Sequence, residues 1–220
     1  MKVAIILAGC GAQDGSEIHE STLLLYALSS AGVEYDIFAP NREQADVMNF
    51  IEGNTMAEKR NVLVESARIA RGAIRQITAL DVNLYDGLML PGGFGAAKNL
   101  FTFAFDGIEF SIKEDILKIV NDFHSQGKVI GAMCIAPLMI AKALGRYGVE
   151  VTLGAESDLC AAAREAFGAK ISTCAPDGVV VDIENKIITT PAYMYGDNSV
   201  AGVGAGAQAL VAEAIKLMAL

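Results

Sequence analysis

The chain has 220 residues, 53% hydrophobic and 20% charged, with 26 acidic side chains against 17 basic ones and a formal charge of −9. This is the profile of a single well-cored domain, and an acid surplus without a basic stripe excludes a phosphate-backbone partner such as a nucleic acid. Four cysteines (Cys10, Cys134, Cys160, Cys174) and two histidines (His19, His124) show no Cys-x-x-Cys pair and no zinc-ligand spacing, so no structural metal is expected, and free thiols suit a cytoplasmic location.

Val3–Ala8 is a continuous apolar run ending in glycines, the pattern of a buried parallel strand. Its end, Leu7-Ala8-Gly9-Cys10, resembles a lipoprotein signal, but its six apolar residues fall short of the roughly 7–15 of a signal core. Glu17–Ala31 has helical periodicity through Ile18, Leu24, Leu25 and Leu28, closed by Gly32. Val33–Ala39 reads as a second strand, ended by Pro40. The segment at about 41–80 is more polar, with an amphipathic helix over 58–70, and reads as a possible insertion within one domain spanning 1–220.

Gly87–Leu90 is a strand feeding Pro91-Gly92-Gly93. Glu109–His124 has a helical apolar stripe, Val129–Met133 is another buried strand, and a helix from Ala136 to Leu144 follows Cys134 at once. Val149–Leu153 is strand-like and Asp158–Phe167 helical. Val179–Asp182 and Lys186–Thr190 form a hairpin or two consecutive short strands. The last helix, Asn198–Met218, carries a small-residue face (Ala201, Gly202, Ala205, Gly206, Ala209) suited to close packing on a sheet. The longest apolar stretch, Val129–Leu144, contains Pro137 and Lys142 and falls short of the roughly 20 residues of a spanning helix, so no membrane partner is expected. Alternating strands and helices imply an α/β fold, a doubly wound, mostly parallel sheet with helices on both faces. Chemistry in such sheets lies at the carboxyl ends of the strands, where Gly9/Gly11, Gly92/Gly93 and Cys134 converge.

Cys134 stands one residue beyond a buried strand and just before a helix with Pro137 in its first turn. The helix dipole there predicts a stabilised thiolate and a lowered pKa, and the turn is of the nucleophile-elbow kind. Taken alone, the turn fits a small buried apolar side chain equally well. Gly92 and Gly93 after a strand allow backbone N–H groups to face a ligand, and with the N–H of Ile135 would form an oxyanion hole. The acidic run Asp14–Glu20 opens the first helix at the same sheet edge. A carboxyl shielded from water beside a thiol has a raised pKa and can donate a proton to it.

Gly9-Cys-Gly11-Ala-Gln-Asp14 is an incomplete dinucleotide fingerprint, since Asp14 occupies the third glycine's place. No P-loop occurs. Both histidines precede Cys134, whereas a Cys-His-Glu glutaminase triad in its usual order needs one after the cysteine. Ile135 stands where peptidase-like relatives carry histidine.

Leu90–Leu100 (Leu-Pro-Gly-Gly-Phe-Gly-Ala-Ala-Lys-Asn-Leu), Gly131–Pro137 (Gly-Ala-Met-Cys-Ile-Ala-Pro) and a glutamate-bearing first helix together resemble the PfpI-like, class I glutamine amidotransferase-like superfamily. Gly9–Gly11, Asp14–Glu20, Thr55–Asn61 and Ile188–Met194 are similar to its ElbB-type glyoxalase members. The resemblance implies a flavodoxin-like fold in which Cys134 is the nucleophile. Glu20 is its partner by counting back from Gly32, with Glu17 one turn away as the rival. Gly92, Gly93 and Ile135 supply backbone donors, and His19 lines the crevice beside Glu20. It further implies a cofactor-independent glyoxalase that takes a small aldehyde, glyoxal, to glycolate through a cysteine hemithioacetal, with protein deglycation as a related activity. A homodimer is the expected assembly. The alternatives are a non-catalytic cysteine oxidation sensor or ligand-binding protein, and an amidotransferase-like partner subunit.

Overall fold

The computed structural model describes all 220 residues. In chain order, β1 (Lys2–Ile6) leads through α1 (Ile18–Ser30) to β2 (Glu34–Ala39). A small hairpin of β3 (Met48–Asn49) and β4 (Asn54–Thr55) precedes α2 (Val62–Ile69) and β5 (Ile74–Gln76). Next come β6 (Gly87–Leu90), two single-turn helices α3 (Ala96–Asn99) and α4 (Phe103–Asp106), α5 (Glu114–Ser125), β7 (Val129–Met133) and α6 (Ala136–Leu144). The remainder holds β8 (Glu150–Val151), α7 (Asp158–Phe167), β9 (Lys170–Ile171), β10 (Val180–Asp182), β11 (Ile187–Thr190) and α8 (Val200–Met218).

Runs apolar on every residue have no face to give to water, so β1, β6 and β7 take the middle of the sheet. Seven strands pair in the order β10-β11-β7-β6-β1-β2-β5. All neighbours are parallel except β10, which pairs antiparallel with β11 at the edge. The order reverses direction between β1 and β6, and that switch point opens a crevice at the carboxyl ends of β1, β6 and β7.

Three segments depart from the periodicity reading, each for a local reason. The helix expected from Glu109 begins at Glu114. Phe110 is fully buried against the rings of Phe101, Phe103 and Phe167, and Ile112 bridges Phe101, which holds 107–112 out of helical register. Of the strand expected over 149–153, only Glu150–Val151 pairs, with β9 in a separate small sheet. Thr152 instead donates its N–H to the Thr189 side chain, at 2.9 Å. The 41–80 segment divides: β3 and β4 pair only with each other, whereas β5 adds the seventh strand beside β2.

α8 has the length and apolar composition to cross a membrane, yet Val203, Ala207, Leu210, Val211 and Ala214 are buried against α1, β7 and β11. Its buried stripe differs from the expected small-residue face. Gly206 lies in the stripe, while Ala201 and Ala205 face outward.

Candidate active site

β7 is buried along its length and ends at Met133; Cys134 then turns the chain into α6. Its φ is +61°, a conformation that costs a side chain with a Cβ on the order of 1–2 kcal/mol. Neighbouring bonds hold it there. The Cys134 N–H donates to Thr190 O at 3.0 Å, and Pro137 stiffens the first turn of α6. The thiol is thereby presented at the crevice rather than folded into the helix.

Two other chain segments close around it. β6 runs out into Pro91-Gly92-Gly93, where Gly93 has φ of +103°. A Cβ on Gly92 would lie 2.5 Å from the Cys134 Cβ and 2.9 Å from a Glu20 carboxylate oxygen, so only glycine permits this approach. α1 starts at the same edge. Glu17 is its N-cap, its carboxylate accepting from the Glu20 N–H at 2.7 Å, and its own N–H donates to Gly92 O at 3.0 Å. Glu20, the third helical residue, is fully buried. One of its oxygens accepts from the Gly92 N–H at 2.9 Å and the other from the Tyr193 N–H at 3.4 Å. The carboxyl also lies beside Cys134, both against Gly92, and each group acts on the other's ionisation.

Burial, then the nearby Glu17 charge, pushes the Glu20 carboxyl up to about 7, against the bonds it accepts from Cys134, Gly92 and Tyr193. Burial, then the Glu20 charge, raises the Cys134 thiol well above its ordinary value; N–H groups of Gly93 and Ile135 aimed at the sulfur work in the opposite sense. The lowered thiol pKa expected from the helix dipole is therefore corrected. Desolvation and an adjacent carboxylate outweigh a helix end worth typically 0.3–1 kcal/mol. Two such acids titrate as one pair that releases its first proton and resists losing the second. When the proton sits on Glu20, the repulsion on sulfur vanishes and the thiolate keeps three donors: the carboxyl O–H and the two N–H groups.

The sequence-derived residues separate into those at the sulfur and those beside it. Cys134, Glu20, Gly93 and Ile135 meet there. Glu17 lines the mouth as cap and charge. Gly92 is a correction: its N–H is taken by Glu20, so it positions the carboxyl and has no donor left for a substrate oxygen. His19 is another: it is exposed on the outer side of the first turn of α1 and pairs with the Tyr193 hydroxyl at 2.8 Å. His124 ends α5 at the opposite sheet edge, beside Asn185. No histidine is among the groups acting on Cys134. Cys160 is buried in α7, bonded to Ser157 and Ala155 O.

Cys134 opens into a cleft of about 410 Å³ whose other walls include Gln13, Phe94, Phe103, Leu159, Tyr193 and Met194. Sequence reasoning passed over these. Tyr193 and Met194 belong to the Ile188–Met194 motif, but nothing in periodicity shows that the turn after β11 reaches α1. Asn99 was also missed. Fully enclosed by its surroundings, it donates to Ala8 O and Asp14 O and accepts from the Ala45 N–H, tying the loop after β1 to α3.

No protein-family model matches the sequence. Among curated proteins, the chain is 45% identical over 202 residues to the human glutamine amidotransferase-like class 1 domain-containing protein 3, mitochondrial, covering 88% of this chain and 75% of that one. It is 44% identical over the same length and shares to the ES1 protein homolog, mitochondrial, of Rattus norvegicus. A solved isoprenoid biosynthesis protein with amidotransferase-like domain from Ehrlichia chaffeensis superposes with a TM-score of 0.90 at 35% identity, over 98% of this chain and 99% of that one. The chain belongs to this glutamine amidotransferase-like class 1 (ES1) family. More remote structures of DJ-1 superfamily proteins, at 17% and 20% identity with TM-scores of 0.59 and 0.54, share the fold.

Proposed function

We propose that the chain is a cofactor-independent glyoxalase-type enzyme converting glyoxal to glycolate. The observation that carries this reading is the fully buried Glu20 carboxyl, fixed by the Gly92 and Tyr193 N–H groups beside the Cys134 thiol and pushed by burial up to about 7. A carboxyl near neutrality can both give and take a proton. The ElbB-type resemblance of the motifs around both residues supports the same chemistry, and the lack of a histidine acting on sulfur weighs against histidine-activated amide hydrolysis.

The sulfur bonds to one aldehyde carbon of glyoxal while the Glu20 proton passes to the carbonyl oxygen, giving a hemithioacetal. The N–H groups of Gly93 and Ile135 hold the developing charge. The Glu20 carboxylate then removes the hydrogen of that carbon and returns it to the neighbouring carbon through an enediol, leaving a glycolyl thioester. Water cleaves the carbon–sulfur bond, glycolate departs and the thiol regains its proton. Overall, one glyoxal and one water give one glycolic acid.

Glyoxal consumption with glycolate detection tests this. Cys134→Ser is expected to abolish turnover, while Cys160→Ser retains it. Equal residual turnover in the two variants would sink the reading. Oxidation of Cys134 to sulfinic acid by mild peroxide, in a wild-type protein without turnover, would favour the sensor reading instead.

A further inference from the structure

The cleft over Cys134 is far larger than glyoxal needs. Its roughly 410 Å³ would hold on the order of a dozen waters at the ~30 Å³ each takes in the liquid, and drug-sized ligands occupy sites of about 300–1,000 Å³. A two-carbon dialdehyde has no group that reaches most of it.

The wall chemistry is as selective as the size. Phe94, Phe103, Leu159, Met194 and the ring of Tyr193 surround the space beyond the sulfur. No lysine, arginine or histidine lines it, and its one ionisable group besides the thiol and Tyr193 is Glu17, with Glu20 buried behind. A carboxylate or phosphate on the substrate would meet acids and no cation. Phe94 stands 46% exposed at the rim. An exposed ring bordering an apolar cleft is surface that a ligand can cover.

We propose that this site, on the glyoxalase reading above, takes neutral 2-oxoaldehydes bearing a bulky apolar group, of which an aryl ketoaldehyde is the simplest example. The aldehyde carbon bonds to the Cys134 sulfur and the aryl group lies among Phe94, Phe103, Leu159 and Met194. The electron count is unchanged from glyoxal. The aldehyde carbon is oxidised to the acid level as the ketone carbon is reduced to an alcohol, its hydrogen moved by Glu20, and one water cleaves the thioester. The product is a 2-hydroxy acid. It is anionic, so the acids that turn away charged substrates also favour its release.

Phenylglyoxal and glyoxal turnover, compared in the wild type, Cys134→Ser, Leu159→Gln and Met194→Gln, test the proposal. Wild-type kcat/KM for phenylglyoxal is expected to exceed that for glyoxal by about 10-fold or more, the discrimination an apolar pocket gives. Either glutamine variant, with circular dichroism confirming its fold, lowers that ratio several-fold. Cys134-dependent turnover of both aldehydes with no preference, or a preference the glutamine variants leave intact, overturns the substrate class and leaves the glyoxalase reading standing. Turnover of neither, or turnover untouched by Cys134→Ser, overturns both.

Discussion

Cys134 and Glu20 are two weak acids sharing one water-poor space, and what each does follows from the other. Glu20 ionises at about 4.5 in the unfolded chain and about 7 in the folded one. Because the folded value is the higher, the protein is favoured at low pH: the full benefit holds below about 4.5 and is lost as pH rises through about 7. The span corresponds to roughly 3 kcal/mol. Glu20→Gln removes it, so the stability of the variant relative to wild type should rise by up to that amount between pH 4.5 and pH 8, read by urea denaturation at each pH. A difference that stays flat across this range would contradict the burial of an ionisable Glu20. At this scale the turn marked Cys134 without separating a reactive thiol from a buried one, and Glu20 came from the family resemblance and its count from Gly32, with Glu17 as the rival. The sequence did not disclose the sign of the thiol shift, because that depends first on burial by the surrounding fold and then on a carboxylate 114 residues away in the chain.

Elements matter here chiefly through how their ends are joined. The loop after β1, the turn after β6 and the start of α1 interlock backbone against backbone, as where Phe94 donates its N–H to Ala12 O at 2.6 Å. Asn99 closes this knot with three hydrogen bonds, at 2.8, 2.9 and 2.9 Å. Asn99→Ala leaves those backbone groups without that partner in a buried place. The expected cost is about 2–4 kcal/mol, a Tm drop of about 10 °C in a chain of this size, with reduced turnover because the loop holding Asp14, next to the Gly15–Glu17 backbone on which Gly93 packs, loses its tie. A calorimetric shift under about 2 °C would show that the loops stand without it. Elements with uninterrupted apolar runs or clear punctuation (β6, β7, α6, α7) were legible to the residue. The stretch before α5 was not, because Phe110 serves an aromatic cluster rather than a helix face. Nor was the small β3–β4 hairpin, which has too few residues for any period to show.

On the scale of the whole molecule, the strand order does the assembling. With β6 between β1 and β7, the chain's three glycine- or cysteine-marked strand ends fall side by side, and α1 and the turn after β11 deliver Glu20 and Tyr193 to the same point. Alternating strands and helices made that architecture readable in advance. The cleft and its apolar walls were not, since Phe103, Leu159 and Met194 come from α4, α7 and the turn after β11, whose mutual approach no local pattern encodes. This architecture thereby makes Cys134 and Glu20 a single ionising pair. Its most direct measure is the rate at which iodoacetamide alkylates Cys134, followed by mass spectrometry of the Cys134 peptide from pH 5 to pH 10 in wild type and Glu20→Gln. The pair predicts a wild-type rate with an inflection at about pH 7, where Glu20 titrates, and full reactivity only at high pH; in Glu20→Gln that inflection is gone and the main rise moves to lower pH, because the charge that raises the thiol is absent. Identical profiles in the two proteins, both with the inflection of an ordinary thiol near 8.5, would contradict it.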